Sequence, residues 1–223
     1  MKKATSKLAK IASLALIIAL AFSLAAPTAS ACHDPDHETY FPFDDARDHW
    51  AADYIAWAYD NAITGGTTAT TFSPSNNVTR AQFVTFLWRM NGSPEVTATH
   101  NFTDVATGQW FTTAIAWAHA TGVSGGTGPT TFSPHDYVTR QQIATMLYNF
   151  VPGAVTAPAD AMDRFVDSNQ VAPWAQDGVR WAAQNEIMGR GLDTLTPRDN
   201  ASRAHTVAML YSVVQQFGLQ VGA

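Results

Sequence analysis

The sequence predicts an all-α protein in which three helix-loop-helix repeats pack as a pseudo-threefold helical bundle. Two observations lead to this prediction. A similar unit recurs three times, with Trp57, Trp117 and Trp181 spaced 60 and 64 residues apart. Each unit also holds two stretches with apolar residues at helical spacing, joined by a loop. One such pair of helices could hardly bury both apolar faces by itself, so we expect the three copies to pack together.

Residues 1–31 have the features of a secretory signal peptide. Lysines near the start precede an apolar run over residues 11–24, and Ala29-Ser30-Ala31 supplies small residues for cleavage. A retained membrane anchor is the alternative, but the run is shorter than the roughly 20 residues that a span needs. We therefore expect an exported protein with no stable transmembrane span after processing.

A polar leader, residues 32–40, follows the cleavage position. Cys32 is the single cysteine, so no disulfide can form within the chain. Its position also permits lipidation, which is the minor alternative because Ala29 stands where lipoprotein signals usually have leucine. Histidines and acidic residues between His33 and Glu38 could bind a metal weakly, but a solvated leader is the preferred interpretation. We assign no metal and no cofactor.

The charge balance argues against a nucleic-acid partner. Removing residues 1–31 removes every lysine and no acid, which leaves nine arginines against 18 acidic residues and a net charge of −9. Binding to nucleic acid depends on neutralising many phosphates with a broad basic surface. Such a surface is not expected here.

The first helix of each copy begins near a tryptophan, at Trp50, Trp110 or Trp174. A second tryptophan, seven residues later in each copy, falls on the apolar face and is expected in the core. We expect the helix to be closed by a glycine in the left-handed conformation. These glycines are Gly65, Gly125 and Gly189.

The second helix follows a loop that ends in a proline. In every copy this proline lies six residues before the arginine at the start of the second helix. Gly65 to Phe72 spans seven residues but Gly189 to Leu195 only six, so the third copy has lost one loop residue. Thr79 with Gln82 and Thr139 with Gln142 fit a capping box, in which side chain and backbone satisfy each other at the helix start. The third copy keeps a cap at Ser202 but places His205 where glutamine is expected.

An arginine follows the cap in every copy, at the first helical position. Arg80, Arg140 and Arg203 occupy this position, where the helix carries roughly half a positive charge and a cation is disfavoured. Two kinds of negative partner could compensate. One is internal, since Asp45, Asp104 and Asp167 also recur once per copy and could pair with the arginines. The other is an external carboxylate or phosphate bound by the guanidinium fork and the helix start.

The tryptophans that begin the first helices have two interpretations as well. Trp50, Trp110 and Trp174 could stack on a sugar ring from a partly exposed position. Packing against the core is the interpretation that we favour.

The order of these motifs resembles the S-layer homology domain. Val123-Ser124-Gly125, Phe132-Ser133-Pro134 and Val138-Thr139-Arg140 are the strongest matches, and the three copies are expected at residues 41–95, 100–153 and 163–217. The resemblance implies a three-pronged spindle of helices that holds exported proteins on bacterial cell walls. It also implies binding of a wall polysaccharide, often one that carries pyruvate ketals.

The family's arginine motif maps to Arg80, Arg140 and Arg203, which the resemblance implies are anion contacts. Its loop glycine maps to Gly65, Gly125 and Gly189, where a sugar could approach the backbone. The sequence departs from the family pattern at Gln82, Gln142 and His205 and in the short third loop. We expect the third copy's site to be the degenerate one.

The predicted function is therefore a non-catalytic module of the cell wall or cell surface. Its expected partner is an anionic cell-wall polysaccharide. A structural role in an S-layer or envelope assembly, with other surface proteins as partners, is the alternative. We do not expect an enzyme, because His49, His119, His135 and His205 stand at non-equivalent places and no nucleophile or metal-ligand motif is present.

Overall fold

The computed structural model describes residues 41–222. The predicted signal peptide, the leader and Cys32 lie outside this part of the chain. The described residues are helical, with isolated β-bridges and no strand or sheet, as predicted for an all-α protein. The six α-helices are α1 (Ala52–Asp60), α2 (Arg80–Met90), α3 (Thr112–Ala120), α4 (Arg140–Phe150), α5 (Gln176–Gln184) and α6 (Arg203–Phe217).

The second helices begin as the sequence predicts. The hydroxyls of Thr79 and Thr139 each accept a hydrogen bond from the amide three residues later, and Oε1 of Gln82 and of Gln142 accepts one from the cap residue's amide. Ser202 caps α6 by accepting from the amide of His205. Each second helix therefore starts at the arginine, which confirms the predicted first helical position.

Helices from different copies pack in a closed series. The second helix of each copy contacts the first helix of the next, so that α2 packs on α3, α4 on α5, and α6 on α1. The approach of α4 to α5 is close at Gly178, where an added Cβ would lie 2.6 Å from Cα of Thr145. Neighbouring copies thus bury the apolar faces that one copy alone would expose.

A ring of backbone hydrogen bonds joins the segments that lead into the second helices. The amide of Val78 donates to Ala201 O (3.0 Å), Ala201 to Val138 O (2.9 Å), and Val138 to Val78 O (2.9 Å). All three side chains are buried. Each copy therefore depends on both others for the position of its helix start, which is where the candidate site lies.

The predicted core tryptophans are placed largely as expected. Trp117 and Trp181 are buried, and Trp57 is half-buried with its ring packed on Tyr211. Large aromatic and aliphatic side chains from all three copies make one continuous core. Within residues 41–222, no helix is both long and apolar enough for a membrane span.

Candidate ligand-binding grooves between the copies

The recurrent aspartates hold the loop that precedes each second helix. The carboxylate of Asp104 accepts hydrogen bonds from the amides of Phe132 (2.9 Å) and Ser133 (2.7 Å). Asp45 does the same for Phe72 and Ser73, and Asp167 for Leu195 and Thr196. These acids are thus loop-binding groups, which is a structural role for the three candidate residues.

The recurrent arginines hold the same loops from the other side. Nε of Arg80 donates to Phe132 O over 2.9 Å, so Arg80 and Asp104 bind the carbonyl and the amide of one residue. Arg140 binds Leu195 O, and Arg203 binds Phe72 O. Because each of these bonds crosses to the next copy in the series, one loop is fixed by an aspartate of its own copy and an arginine of the previous one.

The internal Asp–Arg ion pair, one of the two alternatives that the sequence left open, is not formed among the described residues. The ion pairs found among the described residues are Arg47–Asp44, Arg180–Asp177 and Arg190–Glu186, all between neighbours in sequence. The reason is that carboxylate and guanidinium each bind a backbone group of the intervening loop. Their charges still interact at longer range.

Burial dominates the electrostatics of the arginines. It lowers the pKa of Arg80 and of Arg203 from the usual range of an arginine to about 10, and it lowers the pKa of Arg140 as well. Nearby acids oppose this effect, chiefly Asp136 and Asp104 for Arg80, Asp199 and Asp167 for Arg140, and Asp45 for Arg203. All three guanidiniums stay charged at neutral pH, and each helix start keeps its positive character.

The three guanidiniums differ in what their remaining N–H groups bind. Nη2 of Arg203 donates to the hydroxyl of Thr64 over 3.1 Å. Nη2 of Arg80 is buried and has no hydrogen-bond partner within the described residues. An unpaired buried donor costs about 1–3 kcal/mol, more for a charged group. The site beside Arg80 therefore favours any added acceptor oxygen.

A groove of about 520 Å³ lies beside Arg80. It is built from all three copies, because Arg80 comes from the first, the loop with Ser124 and Gly125 from the second, and Trp174 from the third. Gln142 and Asn149 of α4 add amide groups that can hydrogen-bond to a ligand. Residues predicted separately from each copy thus meet in one groove, which we call the Arg80 groove.

A second groove, of about 410 Å³, is lined by Arg140 and His205, the counterparts of Arg80 and Gln142. Its tryptophan is Trp50 of the first copy, the counterpart of Trp174. Ser202, which caps α6, and His205 of α6 line it together with Asp199. We call it the Arg140 groove. The third arginine, Arg203, lies beside the loop of the first copy. There the Thr64 hydroxyl accepts a hydrogen bond from the Arg203 guanidinium.

The exposure of the first tryptophans corrects the favoured prediction. Trp50, Trp110 and Trp174 are 57–60% exposed, so they do not pack into the core. The amphipathic pattern could not show this, because these residues precede the helices, or lie in the short 3-10 turn Pro173–Ala175 in the case of Trp174. An exposed indole at the edge of a groove is available to stack on a sugar ring.

The loop glycines also need correction. Gly65 and Gly125 do not adopt the left-handed conformation, and the helices end earlier, with positive φ at Ala62, Gly122 and Glu186. The left-handed loop residues are Gly66, Gly126 and Gly189, each packed against a buried phenylalanine of its own copy. Gly189 therefore corresponds to Gly66 and Gly126 in conformation. The residue lost from the third loop is the counterpart of Gly65 and Gly125.

Gly65 and Gly125 remain open positions. A Cβ added at either one would meet no other atom within 4 Å, and Gly125 lines the Arg80 groove. A Cβ added at Gly189, in contrast, would lie 2.4 Å from a ring atom of Phe165. Backbone approach by a ligand is thus possible at Gly65 and Gly125 but not at Gly189.

Sequence reasoning missed two residues of this region. Thr64 was not singled out, although Thr, Ser and Met stand before the glycine in the three copies and only the first two can accept from an arginine. Asn149 was missed because it lies in the last turn of α4, outside any motif. Among residues 41–222, no cluster of histidine, cysteine or acidic residues has the arrangement of a metal site.

Comparison with known proteins shows that the chain matches the model of one protein family. The model of the family described as S-layer homology domain matches residues 42–84, 101–144 and 164–207, which is more than half of the chain. One match falls in each predicted copy.

Similar curated proteins include enzymes and surface proteins. An endoglucanase of Bacillus sp. (strain KSM-635) is 32% identical over 207 residues, which cover 91% of this chain and 22% of that protein. A cellulosome-anchoring protein of Acetivibrio thermocellus is 29% identical over 62% of this chain and 32% of its own length. An S-layer protein of Bacillus thuringiensis subsp. finitimus is 26% identical over 81% and 22%. The chain thus spans about a third or less of each of these relatives.

Proposed function

Because the chain belongs to the S-layer homology family, whose domains anchor proteins to cell walls and S-layers, we propose that it binds an anionic cell-wall polysaccharide in its inter-copy grooves. A polymer bearing pyruvate ketals fits the chemistry of these grooves. We assign the module no catalytic role, and we propose that it acts outside the cell, at the wall or cell surface.

The single observation that carries this proposal is the unpaired Nη2 of Arg80. It belongs to a charged side chain that is 3% exposed, and Arg80 is one of the residues that line a groove large enough for a sugar unit. A carboxylate oxygen is the acceptor that a guanidinium binds most strongly, and the start of α2 adds a favourable field for an anion. A ketal-linked carboxylate would bring such an oxygen on a sugar ring.

The remaining lining of the Arg80 groove suits the sugar itself. The exposed face of Trp174 offers a stacking surface, while Gln142 and Asn149 offer donors and acceptors for ring hydroxyls. Gly125 leaves room beside the loop backbone. Recognition then depends on these local contacts, since the net charge of −5, or −9 without residues 1–31, gives an anionic polymer no long-range attraction.

The exposed tryptophans give the sharpest test, because replacing an arginine would also release the loop that it holds. We expect Trp50→Ala combined with Trp174→Ala to weaken co-sedimentation with purified cell walls by roughly tenfold or more. Trp110→Ala is the matched control, since it removes an equally exposed indole that lines neither of the two grooves. Circular dichroism should show unchanged helical content in all variants.

The ligand class is tested with the walls themselves. Walls stripped chemically of their anionic polymer should no longer retain the wild-type protein. Equal retention by stripped walls, or full retention of the double tryptophan variant, would refute the proposal.

A further inference from the structure

His205 takes the capping-box position that glutamine has in the other two copies. Its backbone amide donates to Ser202 Oγ (3.2 Å), and its Nδ1 lies 2.8 Å from the same oxygen. Since that oxygen already accepts from the amide, its proton can go to Nδ1, which leaves Nε2 as the protonated nitrogen of a neutral ring. A second proton on Nδ1 can also be accommodated, because the hydroxyl oxygen has a further lone pair.

The ring of His205 faces the Arg140 groove beside its tryptophan. The centroids of the His205 and Trp50 rings are 5.1 Å apart, so the histidine extends the aromatic wall of the groove. The charged or titratable groups that line this groove are His49, Arg140, Asp199 and His205. Two of the four are imidazoles, whereas no histidine lines the Arg80 groove.

The electrostatic surroundings keep His205 neutral at neutral pH. Burial lowers its pKa, and the positive charge of Arg140 and the ring of His49 lower it further. The Asp199 carboxylate lies in the same groove, where it supports the charge of Arg140. Any anion that enters the groove would oppose these effects and favour the protonated imidazole.

We propose that His205 makes the Arg140 groove a second anion site whose affinity rises as the pH falls, a property that the Arg80 groove lacks. This inference rests on the proposed function, because it assigns the same class of anionic sugar to the groove. At the corresponding position the Arg80 groove has Gln142, which does not titrate. The two grooves therefore bind the same class of ligand but differ in how their affinity depends on pH.

The direction of the effect follows from linkage. An anion bound beside His205 raises its pKa above the value in the free protein, so binding takes up a proton between those two values. Affinity is constant above the bound-state pKa, increases as the pH falls between the two, and is constant again below the free-state pKa. A ketal carboxyl group, with a pKa of about 3.5 or lower, stays ionised over this range.

Calorimetric titration with a methyl glycoside that carries a pyruvate ketal tests this inference. The Trp174→Ala background weakens the Arg80 groove, so that binding reports mainly on the Arg140 groove. In this background we expect affinity to rise about three- to tenfold from about pH 8 to about pH 5. Adding His205→Gln, which restores the glutamine of the other copies and the capping box, should reduce the change to less than about twofold.

The rival titrating group is His49, and its replacement completes the design. In the same background, His49→Gln should leave the pH dependence in place. Persistence of the dependence in His205→Gln, or its loss in His49→Gln alone, would overturn the assignment to His205.

Failure of the proposed function gives a different result. If the wild type binds but the Trp174→Ala variant binds at no pH, the Arg140 groove is not a site, and the proposed function stands on the Arg80 groove. If the wild type binds the ketal glycoside at no pH, both proposals fail for this ligand class.

Discussion

The guanidinium of Arg203 donates a hydrogen bond to the hydroxyl of Thr64 over 3.1 Å, so a side chain of the first copy is the acceptor for an N–H group of the third copy. The corresponding N–H of Arg80 has no partner among the described residues. Ser124 stands at the position equivalent to Thr64 but makes no side-chain hydrogen bond to another described residue. Three repeats of one motif thus produce chemically distinct sites.

This difference predicts distinct costs for two similar substitutions. Thr64→Ala should lower the free energy of unfolding by about 1–3 kcal/mol, because the buried guanidinium of Arg203 loses its acceptor. Ser124→Ala, the matched control, should change it by less than about 0.5 kcal/mol. Urea denaturation followed by circular dichroism measures both, and equal costs would contradict the assigned hydrogen bond.

Asp104 predicts a pH-dependent contribution to stability. Although partial burial alone would raise it, the pKa of Asp104 is held below its usual value by the amides of Phe132 and Ser133 and by Arg80. A group with a lowered folded-state pKa stabilises the fold above its unfolded value of about 3.9, and this is lost as the pH falls through the folded-state pKa.

The variant Asp104→Asn should accordingly be less stable than the wild type at neutral pH, by about 1 kcal/mol. The difference should shrink as the pH falls below about 4. Asp163→Asn is the control, because Asp163 is exposed and its carboxylate makes no hydrogen bond to another described residue. A constant difference between Asp104→Asn and wild type down to about pH 2.5 would count against the amide contacts.

Two adjacent glycines predict opposite tolerance to alanine. Gly126 has φ of +89°, and an added Cβ would lie 2.5 Å from Thr131 O and 2.7 Å from Phe102. Gly126→Ala should therefore destabilise the fold by more than about 1 kcal/mol, whereas Gly125→Ala should be within about 0.5 kcal/mol of wild type. Thermal unfolding of the two variants side by side decides the point, and a stable Gly126→Ala protein would show that this loop is placed wrongly.

The local features of the fold could be predicted from the sequence because they depend on neighbouring residues. Thr79 and Gln82 are three residues apart, so a capping box and the helical position of Arg80 follow from spacing alone. The apolar face of the first helices likewise predicts that Trp117 is buried. These predictions are confirmed.

The features that could not be predicted depend on contacts between distant parts of the chain. Spacing could not show that Arg80 would meet the loop of the second copy and Trp174 of the third, since periodicity carries no information about which copies are neighbours. Counting residues from the first helix also aligned Gly189 with Gly65. Residue counting cannot show where in a loop a residue has been lost, whereas the backbone conformation shows that Gly189 corresponds to Gly66. The Asp–Arg pairs, one of the two alternatives for the arginines, do not form because the loop backbone binds both side chains.

The most direct test of the central claim fills the Arg80 groove while leaving the fold intact. Gly125→Leu places a side chain in open space beside Arg80 at an unstrained position, and Gly65→Leu does the same in the loop beside Thr64 and Arg203. Calorimetric titration of both variants with the ketal glycoside at about pH 8, where His205 is neutral and the Arg140 groove binds most weakly, reports mainly on the Arg80 groove. We predict at least about a tenfold loss of affinity for Gly125→Leu and less than about a twofold change for Gly65→Leu, with unchanged thermal stability. Wild-type affinity in a folded Gly125→Leu protein would contradict the claim that this groove binds the anionic sugar.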